Sequence, residues 1–143
     1  MVRKATLAAG LLSVVTLAAG GCGTRWDLRT HIADYYAEKG ARLAEAGDYD
    51  AALKELATAI RFHSRCAVAH ETAGDIHRRR GDYHQARDAY ERACDADPYA
   101  FRPHYNLGVV YQALARAAHR AKEIRDYLHE AVSVYLRAVT LEP

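Results

Sequence analysis

Gly40, Gly74 and Gly108 stand 34 residues apart, and Gly47-Asp48-Tyr49 returns 34 residues later as Gly81-Asp82-Tyr83. Ala52 matches Ala86 and Ala59 matches Ala93 at the same interval. A fixed period of this length restricts a chain to one supersecondary unit used again and again, each copy burying its apolar face against the next. The unit is helical. Half of the 143 residues are hydrophobic. Much of that half is Ala, while β-branched residues and Pro are sparse after the first segment, which favours helices over sheets. Gly47 and Gly81 each end one helix in a left-handed conformation, and the Asp that follows caps the next. The chain is therefore expected to be all-α, an α-solenoid of three helix-turn-helix hairpins over residues 33–66, 67–100 and 101–143. About three such units is the minimum for a stable array.

The residues within each unit resemble the tetratricopeptide repeat (TPR), whose signature runs aromatic, Leu-Gly, Tyr, Ala, aromatic and a closing Pro. The third unit reads His104, Leu107-Gly108, Tyr111, Ala131, Tyr135 and Pro143. The second reads His70, Ala73-Gly74, His77, Ala86, Tyr90 and Pro98, and the first Tyr36, Lys39-Gly40, Leu43, Ala52 and Leu56, with Ser64 in place of the Pro. A glycine inside a helix costs about 1 kcal/mol, so three of them imply that a neighbouring helix approaches closely there.

The third unit is longer by 11 residues than the period requires, and no Gly or Pro interrupts Val109 to Glu142. Eleven residues are close to three helical turns, which preserves the buried face. Residues Ala115 to Arg125 are thus expected to lengthen the hairpin tip, with the turn near Lys122 to Asp126.

Ahead of the repeats, Arg3 and Lys4 precede an apolar run from Ala5 to Ala19, which ends in Gly20-Gly21-Cys22. The run is short for a transmembrane span and has the layout of an export signal over residues 1–21. Ala19-Gly20-Gly21-Cys22 resembles the lipobox of bacterial lipoproteins. That resemblance implies lipidation of Cys22, a tether over residues 22–32 and a bilayer as partner. Gly23 rather than Asp after the cysteine implies the outer membrane, facing the periplasm. The alternative is an ordinary signal peptide cut nearby, with Cys22 left as a thiol or disulfide partner. Trp26 in the tether could rest at the lipid interface or pack on the first helix.

The formal net charge of +2 includes Arg3 and Lys4; without them 18 basic residues face 18 acidic ones. A neutral domain lacks the clustered basic surface that phosphate contact needs, so no nucleic acid is expected as partner. Arg78-Arg79-Arg80 closes a predicted helix, where cations compensate the dipole.

Histidines at 63, 70, 77 and 84 invite a metal reading. Only His70 and His77 share a predicted helix, two turns apart, and both fall at packing positions of the repeat. His70-Glu71 begins like a zinc-protease motif, but Gly74 stands where its second His would be. No catalytic residue, metal or cofactor is expected, and a hydrolase or metal protein is the least favoured class. Cys66 and Cys94 lie near adjoining ends of the second hairpin. They are either a disulfide, which an exported protein permits, or two small packed residues.

Function is expected at surfaces. The TPR resemblance implies that the first helix of each hairpin lines a concave groove. By register the groove residues are Asp34, Glu38, Glu71, Asp75, Arg78, Arg102, Tyr105, Asn106, Val109 and Gln112. Its four carboxylates could attract a basic protein segment, extended or helical, or could simply be a solvated face. Ala37 and Ala41 occupy the positions of the Lys and Asn carboxylate clamp of chaperone-binding relatives. A second surface is the stripe Leu128, Val132, Leu136 and Val139 on the last helix, which could meet a partner, a second copy or the lengthened tip. The expected function is a membrane-anchored adaptor or scaffold in an envelope assembly, not an enzyme. The alternative is a homo-oligomeric structural lipoprotein.

Overall fold

The computed structural model describes residues 28–141. The leader, Cys22, Trp26 and Pro143 lie outside them. Six helices follow one another in the described residues, with no strand among them: α1 Leu28–Glu45, α2 Tyr49–Phe62, α3 Ala67–Arg80, α4 Tyr83–Ala96, α5 Phe101–Ala117 and α6 Ala121–Leu141. They pair as α1–α2, α3–α4 and α5–α6, and α2 meets α3 as α4 meets α5. This is the three-hairpin solenoid that the period predicts.

The repeated glycines explain how tightly each pair closes. A Cβ on Gly40 would stand 2.7 Å from Leu56, one on Gly74 2.8 Å from the Tyr90 ring, and one on Gly108 2.6 Å from the Tyr135 ring. Each hairpin thus seats one large side chain of its second helix on the bare backbone of its first. The two short turns share one hydrogen-bond pattern. Asp48 and Asp82 donate their N–H groups to Leu43 and His77, and Gly47 and Gly81 donate to Ala44 and Arg78. Both glycines have positive φ, 85° and 82°, where a side chain would be strained.

The two aspartates then differ. Asp48 caps α2 by accepting from the N–H of Ala51 at 3.2 Å. Asp82 makes no such bond; its carboxylate lies 3.9 Å from His77 Nδ1 instead. The expected cap on α4 is therefore absent. The links between units also repeat, with His63 (φ −138°) and Asp97 (φ −131°) both extended. Ser64 thus follows the same backbone course as Pro98.

Helix α1 begins at Leu28, inside the segment expected to be tether, since no Gly or Pro stops the helix from running back. The third hairpin is lengthened as expected, but its turn is Ala118-His119-Arg120, ahead of the expected Lys122 to Asp126. Ala118 is extended (ψ 144°) and caps α5 through its N–H to Leu114. Lys122 to Asp126 are helical, and Arg120 accepts the N–H of Ile124 to open α6.

Buried apolar residues form two clusters. The first joins Ala33, Ala37 and Ala44 of α1, Ala52, Leu56 and Ala59 of α2, and Cys66, Ala69 and Ile76. The second joins Ala86 and Tyr90 of α4, Leu107, Val110, Tyr111 and Leu114 of α5, and Ala131 of α6. The disulfide considered for Cys66 and Cys94 is not formed, and both are free thiols. Cys66 sits in the first cluster and Cys94 packs on the second, so the two side chains serve different cores although their helix ends adjoin.

Candidate partner-binding groove

Among the ten groove positions, the structure gathers five. Glu71, Asp75 and Arg78 lie on successive turns of α3, and Arg102 and Asn106 stand opposite them on α5. Asp75 is the hub. Its Oδ1 accepts from the Tyr90 hydroxyl at 2.6 Å, from Arg78 Nη2 at 3.3 Å and from Asn106 Nδ2 at 3.5 Å. Arg78 Nε donates in turn to the Tyr90 hydroxyl at 3.3 Å. Tyr90 is fully buried, and burial together with the Asp75 bond holds its phenol un-ionised, well above the usual range.

Arg102 closes the network from α5. Its Nε stands 3.2 Å from Glu71 Oε1 and its Nη2 3.9 Å from Asp75 Oδ2. The first contact is an ion pair without hydrogen-bond alignment, which leaves Glu71 Oε1 buried and lacking a hydrogen bond. Burial pushes the Glu71 carboxyl up, and the Arg102 charge only partly offsets it. The Arg102 side chain itself is 72% exposed against 19% for Glu71. A pair with one arm in solvent is screened and weakly held.

Glu71, Asp75 and Arg102 also edge a pocket of about 340 Å³ between α1 and α3, walled by Ala41, Ala44, Val68, Thr72 and Ile76 and rimmed by Glu45 and Arg79. Its floor is apolar and its rim charged. That suits a side chain with an aliphatic stem and a cationic end.

The remaining positions are placed otherwise. Asp34 and Glu38 are exposed on α1 and line neither pocket nor network, so two of the four expected carboxylates stand apart. Tyr105 is engaged by other rings, stacked on Phe101 and tilted against Tyr135, both at 5.7 Å. Val109 is half-buried. Gln112 edges a separate depression of about 220 Å³ with Arg116, Ile124 and Leu128. Sequence reasoning misses Tyr90 and Glu45. The repeat places Leu56 and Tyr135 at the register of Tyr90, which marks a packing position, and nothing in that pattern shows where a hydroxyl points.

Two histidines act as structural pins. His70 Nε2 bonds the Ser64 carbonyl at 2.9 Å, and His104, one period later, bonds the Ala100 carbonyl through Nδ1 at 2.8 Å. Among the described residues, no three His, Cys, Asp or Glu side chains gather as metal ligands would. No helix among those residues is long and apolar enough to cross a membrane.

The stripe on α6 is open. Leu128, Val132, Leu136 and Val139 are exposed by 46%, 58%, 64% and 69%, so the lengthened tip does not cover them.

Comparison with known proteins agrees with this architecture. The family model described as TPR repeat matches residues 74–114. No curated protein matches the chain. Among solved structures, MamA is 24% identical with a TM-score of 0.65 over 80% of this chain. The thermophilic TPR protein TTC0263 of Thermus thermophilus is 23% identical with a TM-score of 0.67 over 78%. The chain spans about 60% of the MamA chain and 57% of the TTC0263 chain. The second TPR of Spaghetti (RPAP3), bound to an HSP90 peptide, superposes with a TM-score of 0.65 at 15% identity, over 79% of this chain and 94% of its own. With its hairpins stacked on glycine-seated side chains and residues 74–114 matching the repeat model, the chain has the fold of a TPR array.

Proposed function

We propose that the chain is a membrane-anchored adaptor of a bacterial envelope whose groove takes an extended protein segment bearing a Lys or Arg. The observation that carries the groove reading is the mismatch at Glu71: a buried carboxylate oxygen without a hydrogen bond, faced by an arginine that is 72% exposed. A ligand cation entering the 340 Å³ pocket would lay its stem on Ala44 and Ile76. Its charged end would meet Glu71 and Asp75, and Arg102 would swing into solvent. The gain is a better-aligned charge-assisted bond in a partly desolvated site, exchanged for a screened one.

The groove chemistry also selects the sign of the ligand charge. Ala37 is buried and Ala41 lines the pocket, so neither offers a cation to a terminal carboxylate. An acidic segment would meet Glu71 and Asp75 at close range. Binding to the full chain in detergent micelles can be followed by fluorescence anisotropy with a synthetic peptide of alternating Lys and Ala. The reading expects saturable, salt-sensitive binding, lost in Glu71→Gln/Asp75→Asn and tightened in Arg102→Ala, where the internal competitor is gone. Equal binding of the Glu-for-Lys peptide would sink it.

The anchor rests on the residues around Cys22 and is tested separately. Radiolabelled palmitate should enter the chain in a bacterial host and be lost in Cys22→Ser. Label retained in that variant would remove the anchor and leave the groove reading standing.

A further inference from the structure

Arg102 already lies where the groove would take a cation, so its contacts show which kind of cation that place accepts. Glu71 and Asp75 stand one helical turn apart on α3 and present one oxygen each. The hydrogen bonds that Asp75 receives from Tyr90, Arg78 and Asn106 all end on Oδ1. Its Oδ2 is left to Arg102 Nη2, at 3.9 Å. Glu71 Oε1, buried and without a hydrogen bond, faces Arg102 Nε at 3.2 Å. The nitrogens Nε and Nη2 share one edge of a planar guanidinium. A single arginine head therefore spans both carboxylates.

Arg102 spans them poorly because of where it comes from. Its stem extends from α5 with 72% of the side chain in solvent, and the Nε contact lacks hydrogen-bond alignment. A ligand side chain entering the pocket comes instead from the α1 side, along Ala44 and Ile76. From there the same guanidinium edge can be turned squarely onto Glu71 Oε1 and Asp75 Oδ2.

A lysine has the stem for that route but not the head. Its ammonium is a compact, strongly hydrated charge, which must shed water to sit beside a carboxylate as buried as Glu71. Different nitrogens of Arg102 meet the two oxygens, so a point donor aligned on one oxygen is off line for the other. The guanidinium is more weakly hydrated and carries its donors in a flat fork. The sign of the charge agrees as well. With Arg102 displaced, Glu45, Glu71 and Asp75 edge the pocket against the cation of Arg79.

We infer that the groove selects arginine over lysine, with Arg102 as the internal copy of the ligand's arginine head. This selectivity rests on the groove reading and narrows its partner to a segment that presents an arginine.

Fluorescence anisotropy with the full chain in detergent micelles tests it with peptides of equal length and charge. One alternates Arg and Ala, one alternates Lys and Ala, and the third is the Arg peptide with every guanidinium symmetrically dimethylated. Dimethylation keeps the charge and blocks the paired hydrogen bonds. One additional charge-assisted hydrogen bond corresponds to about tenfold in affinity. The Arg peptide should therefore bind about tenfold tighter than the Lys peptide, and the dimethylated peptide should fall back to the Lys level. In Glu71→Gln/Asp75→Asn the preference should vanish, and in Arg102→Lys the Arg peptide should bind tighter than in the parent. Unchanged helicity by circular dichroism verifies each variant, and the dimethylated peptide tests the selectivity without any variant. Saturable binding of the Arg and Lys peptides with equal affinity overturns the selectivity and leaves the groove reading standing. So does a preference that persists in Glu71→Gln/Asp75→Asn, which would place it elsewhere on the surface. Weaker Arg-peptide binding in Arg102→Lys would show that Arg102 holds the ligand and does not copy it. If neither peptide binds, the groove reading falls and the selectivity with it.

Discussion

Replacing Tyr90 by Phe removes one oxygen from a ring with no exposed surface. That oxygen donates to Asp75 at 2.6 Å and accepts from Arg78 Nε at 3.3 Å. A hydrogen bond to a charged group contributes about 1.5–3 kcal/mol, whereas the long contact with Arg78 adds little. Asp75 keeps Arg78 and Asn106 as donors, so its carboxylate is not stranded and the upper end of that range is not reached. The expected loss is about 2 kcal/mol, which for a domain of roughly 100 residues lowers the thermal midpoint by about 8–16 °C. Far-UV circular dichroism during heating and in urea measures it, with Asp75→Asn and the double variant completing a cycle. The single losses should sum to more than the loss in the double variant, because Tyr90→Phe removes the bond whose charge assistance Asp75→Asn removes. A Tyr90→Phe variant within about 0.5 kcal/mol of the parent, the range of an ordinary surface change, would refute the reasoning.

Two more outcomes follow from packing and burial. Gly74→Ala sets a methyl 2.8 Å from Tyr90, which is buried on all sides, whereas Gly108→Ala sets one against Tyr135, which is only half-buried and can turn. Overpacking outweighs the propensity gain at position 74 by about 1–2 kcal/mol and by less at 108; urea midpoints in the reverse order would contradict this. Burial, then the nearby Asp95 and Glu91 carboxylates, pushes the Cys94 thiol from 9.0 up to about 12. The unfolded thiol ionises first, so this contribution to stability is whole below pH 9 and is lost as pH rises towards 12. Urea midpoints should therefore fall between pH 9 and 10 less steeply in Cys94→Ala than in the parent; identical slopes would count against it.

The 34-residue period is enough to read the hairpins, the close-approach glycines and the left-handed turns, because each of these is a local demand that recurs at a fixed place. What escapes it depends on direction. The third turn carries neither Gly nor Pro, and Ala118 and Ala121 are as much at home in helix as outside it, so the expected turn falls a few residues late. Asp82 repeats Asp48 in sequence but turns to His77, a choice made by a neighbour rather than by the backbone. Glu71 and Asp75 are legible as groove acids, yet their partner Arg102 lies a full unit away and its reach across α3 cannot be counted from spacing. Cys66 and Cys94 are legible at adjoining helix ends, but the cores they face are not.

The two apolar clusters do not follow the repeat boundaries. Helix α3 gives Ala69 and Ile76 to the first, while its own hairpin mate α4 gives Ala86 and Tyr90 to the second. The molecule is therefore divided through the middle of its second hairpin, and Tyr90, seated on Gly74 and tied to Asp75, is a chief fastening across that line. Amide protons of α1 to α3 should exchange as one block and those of α4 to α6 as another, with the seam between them opening first. Whatever lies in the groove across Glu71 and Asn106 would clasp both blocks at once and make them melt together.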